Sequence, residues 1–242
     1  MIKKHSKSSL YFWLIVNFIF VNSASLAQRD QFESGLASKD RGHYATALRA
    51  WIPMAESGNA EAQNNVGYMY EEGLGVPQNY LLAMNWYRQA ADNELAQAQH
   101  NMGMLYHHGY GVAQNLGEAF RWFKMAAEQE LAESEYMLGL AYEKGEGTTL
   151  NYAEARRLFL SAARKNYTSA QMMYAFMLQA GEGGDSQPFS AYVWGKIAEN
   201  NGSESAIDIT TISGIQLEDD EIIEAEEITA ACLNVSLSLC PE

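Results

Sequence analysis

The residues with the greatest capacity for chemistry are few. Cys232 and Cys240 stand eight positions apart near the C-terminus. In an exported chain such a pair is expected to form a disulfide. Eight extended residues overshoot the ~7 Å limit between bridged Cα atoms, so the bridge requires the tail to fold back. The spacing does not suit a zinc knuckle, and no histidine lies nearby. His100, His107 and His108 share one helical stretch. His100 and His107 fall on one face but roughly 10 Å apart along the axis, too far for one metal ion, and H-E-x-x-H is absent. They read as surface histidines. Gly73-Leu-Gly75 and its copies are followed by no P-loop lysine and sit among acids, so they read as turn punctuation rather than a phosphate cradle. Neither Ser-x-x-Lys nor Gly-x-Ser-x-Gly occurs. The sequence therefore offers no catalytic, cofactor-binding or metal-binding set, and a non-enzymatic protein is expected.

The chain has 242 residues, 30 acidic against 16 basic, and a formal charge of −14. A nucleic-acid binder needs a concentrated basic face, which this balance opposes. With 12% aromatics and two cysteines it is neither a disordered chain nor a disulfide-dense miniprotein. Lys3, Lys4 and Lys7 precede an apolar run from Leu10 to Val21, and small residues follow at Ser25 and Ala27. That order describes a secretory signal peptide over residues 1–27, since the run is shorter than the roughly twenty residues of a membrane span. No second apolar stretch is long enough to cross a membrane, so none is expected after signal removal. The expected location is periplasmic or secreted.

An internal repeat sets the elements that must position any site. Residues 60–95 and 96–131 match at 17 of 36 positions without a gap. Residues 132–167 continue in phase, 168–203 form a degenerate unit, and a half repeat over 40–59 precedes them. Each unit holds two helical stretches. Ala62, Val66, Gly67 and Tyr70 mark one face of the first, and Ala83, Trp86, Tyr87, Ala90 and Ala91 one face of the second. Gly73 sits where a left-handed residue ends a helix. A unit this small cannot bury its own apolar faces and must stack on neighbours. The reading is all-α: a right-handed α/α solenoid over 28–203 with a helical C-terminal cap over 204–242.

The recurring Ala62, Gly67, Tyr70, Gly73, Gly75, Val76, Ala83, Trp86, Ala90 and Ala91, repeated as Ala98, Gly103, Tyr106, Gly109, Gly111, Val112, Ala119, Trp122, Ala126 and Ala127, resemble the Sel-one-like repeat family, relatives of the tetratricopeptide repeat. The third unit has Leu158 in place of tryptophan, and the fourth has Ala175 for glycine and Leu178 for tyrosine. The resemblance implies a scaffold for protein–protein contact. Cysteine-rich relatives linked to β-lactam hydrolysis carry a cysteine pair in each repeat, and here the repeats have none.

By the tetratricopeptide analogy, the first helices line a concave groove. Its expected partner-binding residues are Asn64, Tyr68 and Glu71, then His100, Met104 and His107, then Tyr136, Leu140 and Glu143, then Met172 and Phe176. One position reads Tyr68, Met104, Leu140, Phe176 down the array, an apolar row flanked by acids. Residues 218–227, EDDEIIEAEE, should open a solvated capping helix. The expected function is an exported, non-catalytic adaptor that binds a protein or peptide. Alternatives are an envelope carbohydrate-binding assembly factor and, with least support, a hydrolase of the cysteine-rich group.

Overall fold

The computed structural model describes residues 26–242, which form helices and connecting turns with no strand among them. All of the expected leader except its last two residues lies outside the described residues. The chain divides into two compact units, Met1–Asn93 and Glu94–Glu242. The first holds α1 (residues 26–40), α2 (Tyr44–Glu56), α3 (Ala60–Glu72) and α4 (Tyr80–Asp92). The second holds α5 (Ala96–His108), α6 (Leu116–Ala127), α7 (Ala132–Lys144), α8 (Tyr152–Arg164), α9 (Thr168–Ala180) and α10 (Pro188–Asn200). It ends in α11 (Ala206–Gly214), α12 (Asp219–Asn234) and a 3₁₀ turn, Leu237–Leu239. Among the described residues, no helix is long and apolar enough to cross a membrane.

Local signals fix the helix ends. Asn79, Asn115 and Asn151 cap second helices, each side chain accepting a backbone N–H three residues on at 3.0–3.1 Å. Gly73, Gly109, Gly145 and Gly181 end first helices in the left-handed conformation, as the sequence predicts. The next glycine of the loop has a second task. A β-carbon on Gly147 would stand 2.2 Å from the Leu116 carbonyl oxygen, so this turn presses on the start of the preceding second helix. That contact explains the recurring pair of glycines without any phosphate.

Within each unit, the first and second helix meet through a glycine under an aromatic ring. A β-carbon on Gly67 would lie 2.7 Å from the Tyr87 ring, on Gly103 2.5 Å from Phe123, and on Gly139 2.7 Å from Phe159. All three rings are fully or almost fully buried. Gly35 of α1 bears the same relation to Trp51 of α2, and the Trp51 indole N–H donates to the Phe32 carbonyl at 3.2 Å. The half repeat expected over 40–59 is thus preceded by a first helix of its own. The fourth unit reverses the arrangement: Ala175 replaces the glycine and Gly195 stands where the ring would be. A β-carbon on Gly195 would meet the Thr210 methyl at 2.5 Å, so this glycine admits α11.

A buried polar bridge recurs beside these contacts. Gln63 accepts from Asn93, Gln99 from Gln129, Glu135 from Lys165 and Gln171 from Asn201, each pair thirty residues apart. Each ties a first helix to the residue just beyond its own second helix. The Gln63 amide also donates to Ala55 in the preceding helix, as Gln171 does to Ala163.

The C-terminal cap covers α10. Ala225, Thr229 and Cys232 form the buried face of α12, whose acids point to solvent. A capping box between Glu218 and Glu221 starts the helix. The Cys232–Cys240 disulfide, with its Cα atoms 5.6 Å apart, turns the tail back. The Trp194 indole then donates to the Pro241 carbonyl at 2.7 Å, and Arg164 pairs with Glu242 at 2.9 Å.

Gly103→Leu should destabilise the protein by about 1–3 kcal/mol in urea melts, because a side chain there must displace the Phe123 ring. Glu72→Ala, at an exposed site, should fall within about 0.5 kcal/mol of wild type. Reducing the disulfide should loosen residues 219–242 in hydrogen exchange while α5 to α8 keep their protection, since repeat contacts reach only neighbours. Uniform loss of protection would contradict that independence.

Candidate functional site

The expected groove residues occupy three positions on α3, α5 and α7 and the first two of these on α9, and the helix-pair contact sorts them. The first position is drawn inward. His100 packs its ring 5.5 Å from Phe123, and its Nδ1 lies 2.8 Å from the Ser134 hydroxyl on α7. Burial lowers the His100 pKa, with Glu133 opposing, so the ring is held neutral. His100 is a packing residue, not the surface histidine expected. Tyr136 packs against Phe159 at 5.7 Å and Tyr167 at 5.2 Å, and burial raises its pKa. Met172 is half-buried against the core of the fourth pair, and Asn64 is half-buried on α3.

The second position carries the apolar row. In the Met1–Asn93 unit, Tyr68 is 40% exposed, with the Lys39 ammonium of α1 lying 5.9 Å from its ring centre. In the Glu94–Glu242 unit, Met104 and Leu140 are half-buried and Phe176 is 37% exposed. They stand at equivalent places on the successive first helices α5, α7 and α9. Met104 packs against the cluster of Phe123, Leu138 and Leu158, and Leu140 against the larger core around Phe159 and Tyr174. Each therefore has a fixed base and a partly open surface. Ile212 on α11 occupies the same place and is 48% exposed, a continuation hidden in the sequence by the drift of that segment.

The third position is electrostatic. Glu71 accepts a 2.5 Å hydrogen bond from the buried Tyr87 hydroxyl, whose pKa burial and this carboxylate push well up. That oxygen serves the fold. His107 lies 3.8 Å from Glu146, and burial, then the neighbouring His108, lower its pKa against the pull of that carboxylate. Its Nδ1 is buried without a hydrogen-bond partner and edges a cavity of about 90 Å³ between α5, α6 and α7, with Phe120, Phe123, Met137 and Leu140 among its walls. One Glu143 oxygen is likewise buried and unpartnered. Burial first, then Glu182 and Glu146, raise the Glu143 pKa while Lys144 opposes. Phe120 comes from a second helix, Glu146 and Glu182 from loops and Lys39 from a repeat outside the 36-residue phase, while Met137 lies on first helix α7 but off its expected groove positions, so none was legible as a site residue. Among the described residues, no group of three or more His, Cys, Asp or Glu side chains could hold a metal ion.

A family model described as the Sel1 repeat matches residues 60–95, 96–131, 132–167 and 168–203. Among solved structures, a Sel1 repeat protein from Oxalobacter formigenes is similar at 29% identity with a TM-score of 0.71, over 82% of this chain and 84% of that one. A protective antigen present in uropathogenic Escherichia coli strains and displaying an SLR fold is similar at 25% identity and a TM-score of 0.70. That match covers 90% of this chain but 52% of the antigen. No curated protein matches the chain.

The raised Glu143 pKa has a consequence for stability. Above its ordinary pKa the folded state disfavours this carboxylate relative to the unfolded chain, whereas well below that pKa the group is protonated on both sides of unfolding. Glu143→Gln should therefore raise the melting temperature at pH 7, and the gain should shrink toward zero below about pH 3.5. A variant less stable than wild type at pH 7 would show that the carboxylate is needed by the fold.

Proposed function

Because the chain belongs to the Sel1 repeat family, whose members are typically protein-interaction scaffolds, we propose that it is an exported, non-catalytic adaptor that holds a protein or peptide on the exposed face of its first helices. The observation that carries this reading is the row Met104, Leu140 and Phe176. Apolar side chains, anchored at their bases and open at their tips, stand at equivalent places on three successive helices. A surface of that kind is stable only at a cost unless something covers it. Glu143, Glu146 and Glu182 edge it with negative charge, so a ligand with apolar anchors and basic flanks suits it best. Export is supported by the basic-then-apolar order of residues 1–27 and by the Cys232–Cys240 disulfide, a bond that persists in oxidising compartments. The same features support a periplasmic or secreted location.

A carbohydrate ligand is a second reading, favoured by the exposure of the Tyr68 and Phe176 rings, which could stack on sugars. The two readings separate by which residues matter.

The test is a capture experiment from envelope extract, followed by titration of the purified partner. Met104→Glu combined with Leu140→Glu should lower affinity by at least about 100-fold, as loss of buried anchors does, with the helical spectrum unchanged. Retention of full affinity would remove this face from consideration. Binding of envelope polysaccharide, abolished by Phe176→Ala, would favour the second reading.

A further inference from the structure

α11 is a first helix without a second one. In each pair opened by α3, α5, α7 and α9, the face holding the buried polar bridge and the glycine, or Ala175 in the last, packs on the second helix that follows. On α11 the equivalent residues are Ile207 and Thr211, with Ile215 one turn further, and nothing among the described residues covers them. Ile207 is 53% exposed and Ile215 81%, and Thr211 is exposed too. The chain does supply another helix, but α12 packs on α10 instead. Between α11 and α12 lies a trench floored by α10. Tyr192 and Lys196 lie along the floor, concavities of about 300 and about 320 Å³ share Lys196, and Ile215 and Leu233 stand on opposite walls. The Lys196 charge is already met by Glu199 at 2.9 Å.

Charge selects the occupant. Residues 204–242 hold ten acids and no lysine, arginine or histidine. A second copy would bring an identical acidic cap against this one, an arrangement that like charges oppose. A basic helix would be drawn to it. We propose that the uncovered face of α11 and the adjoining trench receive a basic amphipathic helix from a partner protein, which stands in for the missing second helix of a fifth unit. Thr211 replaces the glycine that elsewhere lies under an aromatic ring, so the incoming helix presents small or aliphatic residues there. This surface is distinct from the row of Met104, Leu140 and Phe176.

The probe is an Ala-rich synthetic peptide the length of a repeat helix, with Leu along one face and Lys on its flanks. Its twin carries Glu for Lys. Fluorescence anisotropy with the purified full chain should show saturable one-to-one binding of the basic peptide and none of the twin. Ile207→Asp with Ile215→Asp should weaken binding at least about tenfold although it adds negative charge, because the apolar contact is lost. Met104→Glu with Leu140→Glu, which removes the row as a competing site for the same peptide, should leave the α11-dependent binding in place. If the double α11 variant loses helicity, Ile215→Asp alone makes the comparison. The proposal is overturned if the basic peptide fails to bind, or if the α11 variants bind as well as wild type. It is overturned equally if the Glu twin binds alike, or if the chain sediments as a dimer that these variants dissociate.

Discussion

A ring lying on a bare backbone governs this protein. Where Phe123 covers Gly103 and Phe159 covers Gly139, the two helices of a pair are held at a separation no larger residue permits. That separation determines which side chains face inward. His100 and Tyr136, one turn before the glycine, are close enough to pack on the same ring and are half-buried there. Met104 and Leu140, immediately after it, point past the ring and stay partly open. The division between ring-packed and open positions thus follows the geometry of the glycine contact rather than residue polarity. A half-buried histidine is turned onto the ring, while an equally half-buried leucine keeps an open surface.

The same contact explains why the last repeat departs from the pattern without failing. Ala175 adds a methyl group on one side, Gly195 removes a ring on the other, and the space is taken by Thr210 from α11. The outer side of α10 is then closed by α12 and the returning tail, which keep Trp194 fully buried and give its indole N–H a carbonyl partner. Substitutions that look like decay of a motif are, in the folded chain, a coordinated exchange of volume between neighbours.

Most of the fold was legible because the repeat is gapless where it is strong. Helix ends such as Gly109 follow from local chemistry, and the disulfide from the spacing and number of cysteines. The pair formed by α1 and α2 was not legible. Its connection, residues 41–43, is four residues shorter than the seven-residue loop 73–79, so Gly35 falls four positions out of phase with Gly67 although Trp51 stays in phase with Tyr87. The polar bridges were hidden for another reason. Gln99 and Gln129 look like ordinary helix-surface residues, and only their partners, thirty positions away, make burial tolerable. The candidate site was legible as a row of positions but not in its electrostatics. Burial at His107 and Glu143 depends on side chains from other helices.

The bridge position also shows where the repeat ends and why the end matters. Gln63, Gln99, Glu135 and Gln171 need a donor just beyond their own second helix, and each has one. At the fifth occurrence the residue is Ile207, and the equivalent donor position is Leu237, in the 3₁₀ turn joined to α12. At this exposed position a polar side chain would be hydrated without any buried partner, so the isolated chain gains nothing from an apolar residue. Yet the isoleucine is left in water, and its neighbours on the same face with it. Two kinds of uncovered surface therefore arise from one building plan. The row on the first helices is open because those positions point away from their partners, while the face of α11 is open because its partner is missing from the pair.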